Sequence, residues 1–119
     1  SCSSAASDVY KRQRVSLVDD ISKNSGLRDA RLSFYIAKDL LKEGKIEESM
    51  NEFKTMLDGL EKSYIDFGRE QSTQYFMKIH SDFFAKTFSR IGRKDLLIDI
   101  KQLDHDNNDL YDEYLDRMP

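Results

Sequence analysis

Tryptophan is absent from this chain of 119 residues, and proline and cysteine each occur once, as Pro119 and Cys2. A lone cysteine excludes an internal disulfide and any zinc site built on several cysteines. The scarcity of proline, together with a charged fraction of 34%, is typical of long helices with solvated faces. No run approaches the roughly 20 apolar residues that cross a bilayer, so the sequence predicts no membrane span.

A basic excess is missing as well. The chain has 19 Lys and Arg residues against 22 Asp and Glu residues, which gives a formal net charge of −3. Domains that bind nucleic acids usually carry a positive surplus or a long basic stripe on one face. We therefore predict that nucleic acid is not a partner.

Motifs that carry chemistry are also lacking. The five glycines lie too far apart to form a phosphate-binding loop. His80 and His105 have no Ser, Cys or carboxylate at a spacing diagnostic of catalysis, and we expect His80 to be buried or half-buried near aromatic side chains. The run 104–109 starts like a calcium loop, but Asp109 and Leu115 occupy the positions that need glycine and glutamate. The sequence therefore predicts that the chain is not an enzyme and holds neither a cofactor nor a metal.

Apolar residues return every three or four positions between four of the glycines, which predicts helices that turn at Gly26, Gly44, Gly68 and Gly92. We expect helices over 27–43, 46–67 and 72–91, a shorter one from Gly92 to Leu103, and a further one over 108–117, with 15–21 as the end of a preceding helix. No alternating run of four or more residues indicates a strand. The predicted fold is all-α and built from antiparallel helical hairpins.

The clearest pattern is a seam in which apolar residues alternate four and three positions apart. Its members are Ile46, Met50, Phe53, Leu57, Leu60, Tyr64 and Phe67. Such a seam serves either as a face buried on the preceding helix or as the surface of a coiled-coil dimer. We favour burial within a hairpin, because three heptads usually serve the local core, and a homodimer stays as the alternative.

Two other helices carry broad apolar surfaces. The first has two adjacent apolar faces, made of Ala30, Phe34, Ala37 and Leu41 and of Leu32, Ile36 and Leu40. A stripe of this width predicts packing on two neighbours. The third helix is expected to begin at an N-cap of Ser72 or Thr73 and to face inward with Phe76, Ile79, Phe83, Phe84, Phe88 and Ile91.

An internal repeat connects the two halves. Residues 34–44 align with residues 82–92, so that Ala37 pairs with Ala85 and Gly44 with Gly92 at a period of 48 residues. Repetition at a fixed period is typical of proteins that stack one supersecondary unit on the next.

The first unit resembles the tetratricopeptide repeat. The matching positions are Ile36, Ala37, Leu40, Gly44, Ser49 and Phe53, within about residues 30–60. Ser33, Met56 and Glu61 depart from the family pattern, and Lys101 replaces the aromatic residue of the second unit. The resemblance implies a piece of an α-solenoid, whose first helices line a concave groove that holds peptide segments of other proteins.

Groove positions follow from the resemblance. They are Arg31, Phe34, Tyr35, Lys38 and Lys42 in the first unit and Ile79, Phe83, Lys86 and Arg90 in the second. Because Lys38 and Lys42 lie four apart, as do Lys86 and Arg90, each pair shares a helix face and favours an acidic or C-terminal peptide. The alternative is that these are ordinary solvated charges on helix surfaces.

The organisation of the chain follows from these patterns. Ser3 to Gln13 is similar to a translated sequencing-adapter sequence, so we expect residues 1–13 to be a non-native tail and the chain to be a metagenomic fragment. Residues 14–119 are predicted as a single domain, with repeat units at about 27–67 and 72–103. The expected function is a protein-interaction scaffold. The alternatives are an accessory segment of a larger enzyme or sensor, and a self-associating helical module.

Overall fold

The structure, a computed structural model, describes residues 23–119. Within this range the chain folds into five α-helices and contains no β-strand, which confirms the predicted all-α class. The helices are α1 (Ser25–Lys42), α2 (Ile46–Phe67), α3 (Gln71–Ile91), α4 (Lys94–Leu103) and α5 (Asn108–Arg117), with a short 3-10 turn at His105–Asn107. They form a bundle that is compatible with a helical repeat. The predicted tail 1–13 and the helix end at 15–21 lie outside the described residues.

Glycine ends two of the helices in the same way. Gly44 and Gly92 take φ values of 79° and 86°, a left-handed conformation that costs glycine little because it has no Cβ. The amide of Lys45 donates to the Leu40 carbonyl at 2.9 Å, and the amide of Arg93 donates to the Phe88 carbonyl at 2.8 Å. These bonds satisfy carbonyls that the helix end would leave free. The turns predicted at Gly44 and Gly92 are therefore confirmed.

The first hairpin, α1 with α2, is held by contact between backbones. A Cβ atom on Gly26 would lie 2.5 Å from the Gly59 carbonyl oxygen, and one on Gly59 would lie 2.7 Å from the Gly26 carbonyl oxygen. At the other end of the hairpin the Ser49 hydroxyl donates to the Ala37 carbonyl at 2.7 Å. Small residues thus let the two helices approach closely along their length.

The seam on α2 is buried inside this chain. Met50, Phe53, Leu57 and Leu60 are at most 5% exposed, whereas Ile46 and Phe67 at its ends are about 40% exposed. A coiled-coil dimer through this seam would need its central residues free, so that alternative is wrong. The seam belongs to the core of the hairpin, as favoured from the sequence.

A cluster of aromatic rings joins the first hairpin to α3. The Phe34 ring lies 5.5 Å from the Phe76 ring and 5.6 Å from the Phe84 ring, between centroids, and the Phe53 ring lies 5.1 Å from the Phe88 ring. All five side chains are at most 6% exposed. Burial of each such side chain contributes roughly 1.5–3 kcal/mol, so this cluster is a main source of cohesion between the two units.

The second hairpin, α3 with α4, is packed with large side chains, and neither helix contains glycine. Leu96, Leu97 and Ile100 of α4 are fully buried, and Tyr111 of α5 is buried beside them. Helix α5 packs on both α3 and α4. Side-chain volume, rather than close backbone approach, sets the spacing here.

Several sequence expectations need correction. The N-cap of α3 is Glu70, and Thr73 lies within the helix, where its buried hydroxyl is 3.0 Å from that of Ser63. Leu32 is 60% exposed and Ile36 is 39% exposed, so within residues 23–119 only one of the two apolar faces of α1 is covered. Periodicity finds an apolar face, but it does not say whether a neighbour reaches it.

Among residues 23–119, none of the helices combines the length and the apolar character that a bilayer span requires.

Candidate functional site

The structure brings α1 and α3 together at positions predicted from the two repeat units. The Lys38 ammonium lies 5.1 Å from the centre of the Phe34 ring and 5.6 Å from the centre of the Phe83 ring. The Phe34 ring itself lies 4.3 Å from the His80 ring and 5.7 Å from the Phe83 ring. Residues about 48 positions apart in the sequence therefore share one surface.

This surface, the cationic face, consists of one stripe on each helix. Its members are Arg31, Tyr35, Lys38 and Lys42 of α1 and Tyr75, Ile79, Phe83, Lys86 and Arg90 of α3. On each helix, consecutive members lie three or four positions apart, which places them on the same side. Phe34 lies beneath the face and is not part of it.

Phe34, which was expected both on an apolar face of α1 and in the groove, lies in the core. Its side chain is fully buried, because α3 packs against α1 at this point and encloses the ring between Phe76, Phe83 and Phe84. Ile79, which was expected both to face inward and to line the groove, is 52% exposed and therefore not part of the core.

Three large side chains of the face are open to solvent. Tyr35 is 54% exposed, Ile79 is 52% exposed and Tyr75 is 61% exposed, while Phe83 is half-buried. Tyr75 was not among the groove positions taken from the resemblance. Its spacing of four and eight positions before Ile79 and Phe83 was the signal that could have placed it on the face.

The cations of the face have no carboxylate partners in the described part of the chain. Six salt bridges form among residues 23–119, and none of them includes Arg31, Lys38, Lys42, Lys86 or Arg90. Lys38 is half-buried, and the other four side chains are exposed. The structure brings Lys38 against a residue of α3, but within the same range it shows no contact that joins Lys42, Lys86 or Arg90 to the opposite helix.

The pKa of His80 is affected by the charges of the cationic face. It is half-buried, as expected, with its ring centre 5.0 Å from that of Phe76 and 6.2 Å from that of Phe84. Burial lowers its pKa below the usual value, and the positive charges of Lys38 and Arg31 lower it further. Burial and the two nearby cations therefore both favour the neutral form of the imidazole.

A second polar cluster, at the junction of α4 and α5, was missed from the sequence. The Asp104 carboxylate is only 3% exposed and accepts hydrogen bonds from the Asn107 amide at 3.0 and 3.1 Å and from the Tyr111 hydroxyl at 2.7 Å. Burial raises the pKa of Asp104, although both hydrogen bonds oppose this shift, and burial also raises the pKa of Tyr111. The spacing of Asp and Asn three apart was the only signal in the sequence.

The hydrogen bonds of this cluster favour a structural role over a catalytic one. The three side chains bind one another and thereby fix the turn between α4 and α5. A shallow cavity of about 400 Å³ lies beside it, lined by Gln71, Gln74, Tyr75, Lys78, Asp104, Asp106 and Asn107. Within residues 23–119, no three His, Cys, Asp or Glu side chains are grouped as metal ligands would be.

Comparisons with protein-family models, with curated proteins and with solved structures give no match to this chain. The resemblance to the tetratricopeptide repeat therefore depends on the residues of this chain alone.

Proposed function

We propose that this chain is a protein-interaction module, a tetratricopeptide-like pair of helical hairpins that binds a segment of another protein on the cationic face. One observation carries the proposal. Two helices from different repeat units jointly present exposed aromatic and aliphatic side chains beside cations that have no carboxylate partner among residues 23–119. Exposed apolar patches rimmed by polar residues are typical of interaction sites.

The composition of the face fits the chemistry of protein interfaces. Tyrosine and arginine are enriched at interfaces and dominate their binding energy, because each offers a large contact area together with hydrogen-bonding groups. The face offers both residue types in Tyr35, Tyr75 and Arg31. A single exposed apolar residue would need no explanation, but three on adjacent stripes of two helices favour a common use.

The fold supports the face rigidly. On one side, Gly26 and Gly59 fix the position of α1 on α2, and on the other side the Phe34 ring fixes α1 on α3. Side chains that project from packed helices keep their positions better than side chains on loops. A preorganised surface loses less conformational entropy when a partner binds.

A binding role is favoured over catalysis by the surroundings of His80. A histidine that acts as a general base is usually oriented by a carboxylate and lies beside a nucleophile. His80 lies among aromatic rings with Lys38 and Arg31 nearby. An accessory arm of a larger enzyme or sensor would use the same face for binding.

The proposal is tested by peptide display. A library of random peptides is selected against the immobilised chain, and the selected peptides are measured by fluorescence anisotropy against a Tyr35→Ala/Ile79→Ser double variant. We expect binding to weaken at least about tenfold, because both are large, exposed side chains of the face. Both are more than half exposed, so folding should be little affected.

The matched control is Ile65→Ser, which removes a large apolar side chain that is 76% exposed on α2 and lies outside the face. Its affinity for the selected peptides should equal that of the unmodified chain. The proposal fails if the selection yields no binders, or if the control loses as much affinity as the double variant.

A further inference from the structure

Charge is distributed unevenly between the helices. Helices α1 and α3, which form the cationic face, have seven basic residues against three acidic ones, a balance of +4. Helices α2, α4 and α5 have five basic residues against twelve acidic ones, a balance of −7. The two helices that carry the cationic face are therefore net positive, although the chain as a whole has a net charge of −3.

The positive charge of Lys38, beside the aromatic cluster, is held in place. The Lys38 ammonium lies over the Phe34 and Phe83 rings, so its side chain is already ordered before anything binds. Arg31 and Lys38 also act together on His80, which places both charges near the same point of the face. An anion that binds there meets two cations. It displaces little water from Lys38, because that side chain is already half-buried.

We propose that the cationic face selects an acidic segment of its partner, whose carboxylates pair with Arg31 and Lys38 while an apolar side chain of the segment packs on Tyr35 and Ile79. This inference rests on the proposed function and names the chemistry of the partner. Charge complementarity of this kind speeds association and excludes partners of the wrong charge.

An acidic polypeptide fits the charge distribution better than a nucleic acid does. The cationic face lies on the two helices that are net positive, and the other three helices together are strongly acidic. A nucleic acid carries a charge on every residue and would extend beyond the face into repulsive surroundings. A peptide with a few clustered carboxylates stays within it.

Binding of such a segment is coupled to His80. Burial lowers the pKa of His80, the charges of Lys38 and Arg31 of α1 lower it further, and its ring packs on those of Phe34, Phe76 and Phe84. Carboxylates placed against the two cations offset their charge, so the pKa of His80 rises and the imidazole takes up a proton more readily. By linkage, binding of an acidic segment tightens as the pH falls below 6.5, the ordinary pKa of histidine.

The test compares three labelled synthetic peptides that share the same leucine positions, with glutamate, glutamine or lysine at the remaining positions. Fluorescence anisotropy at low salt should give the tightest binding for the glutamate peptide, with at least about a tenfold loss when salt is raised to about 0.3 M. The Arg31→Gln/Lys38→Gln variant should also lose at least about tenfold. A second variant, Lys42→Gln/Lys86→Gln, changes only exposed side chains of the face and should also lose affinity. It separates a loss of binding from a folding defect that the substitution of half-buried Lys38 could cause.

The matched control is Lys54→Gln/Lys94→Gln, which removes the same charge from α2 and α4 and should leave the affinity unchanged. In a His80→Gln variant this pH dependence should disappear. If the glutamine peptide binds as tightly as the glutamate peptide and still requires Tyr35 and Ile79, the acidic partner is refuted while the proposed function stands. If a single-stranded RNA binds more tightly than the glutamate peptide and loses affinity in the same variants, the partner is a nucleic acid and the inference is wrong.

Discussion

The two hairpins of this chain solve the same packing problem in opposite ways. In the first, small residues let backbones touch, as the contact between Gly26 and Gly59 shows. In the second, the buried side chains of Leu96, Leu97 and Ile100 hold the helices apart and fill the space between them. A hairpin of the first kind should not tolerate added atoms, and one of the second kind should not tolerate lost atoms.

The cationic face takes one helix from each hairpin. Helix α1 is positioned by backbone contact with α2, and α3 is positioned by aromatic rings and by its packing on α4 and α5. A destabilising substitution in either hairpin should therefore disturb the cationic face. The kind of substitution that destabilises should differ between the two hairpins. The predictions below test this difference, from the largest expected effect to the smallest.

Phe88→Ala should destabilise the protein by about 3–5 kcal/mol, because it leaves a cavity where the second hairpin meets the first. The Phe88 ring contacts those of Phe53 and Phe84 and is fully buried. Urea denaturation followed by circular dichroism measures the loss. Phe67→Ala is the control: this ring is 40% exposed, and its removal should cost less than about 1 kcal/mol. Equal losses would show that Phe88 does not support the junction.

Gly59→Ala should destabilise the protein by about 1–3 kcal/mol, although alanine is the better helix former by about 1 kcal/mol. The added methyl group would lie 2.7 Å from the Gly26 carbonyl oxygen, a backbone atom that moves only if the helices separate. The same urea denaturation gives the sign of the change in the free energy of unfolding, and this sign shows whether steric overlap or helix propensity dominates. A more stable variant would contradict the close packing of the first hairpin.

Both the success and the failure of the sequence-based predictions follow from these packing modes. Periodicity and glycine turns predicted the helices, and the close approach at Ala37 and Ser49 follows from small residues visible in the sequence. Phe34 was expected on a packed apolar face from periodicity and in an open groove from the family pattern. Only the packing of α3 across α1 closes it, and single-helix periodicity contains no information about that crossing.

The Asp104 cluster illustrates a second limit. A polar run between two helices reads as a solvated loop, and its hydrogen-bonding residues are common in turns. What makes Asp104 unusual is that Tyr111 reaches back to it across a turn of α5 and that both are buried. Burial of this kind depends on tertiary packing and not on local sequence.

Tyr111→Phe should destabilise the second hairpin by about 1–3 kcal/mol, because a buried carboxylate loses one of its two hydrogen-bond donors. Thermal unfolding provides the measurement. Tyr75→Phe, which removes the same hydroxyl from a side chain that is 61% exposed, should have no measurable effect. If Tyr111→Phe is as stable as the unmodified chain, the Asp104 cluster does not hold α4 and α5 together.

Stability should also depend on pH through Asp104, with a smaller effect. Since burial raises the pKa of Asp104 in the folded state, its contribution is fully present below the unfolded pKa of about 4 and is lost as the pH rises through the folded value. The stability of the chain relative to an Asp104→Asn variant should therefore increase as the pH is lowered from about 7 toward 4. Parallel urea titrations at several pH values measure the difference, and a difference that falls with acidification would reverse the assigned direction.

The most direct test of the account is to map the binding surface on the intact chain. A ¹⁵N-labelled sample is titrated with the glutamate and leucine peptide, and amide chemical shifts are followed by NMR. We predict that the largest changes fall on residues of both helices of the cationic face, around Arg31, Tyr35 and Lys38 of α1 and Ile79 and Phe83 of α3. Changes centred on α2 or α5, or none at saturating peptide, would contradict the assignment of this face as the binding site.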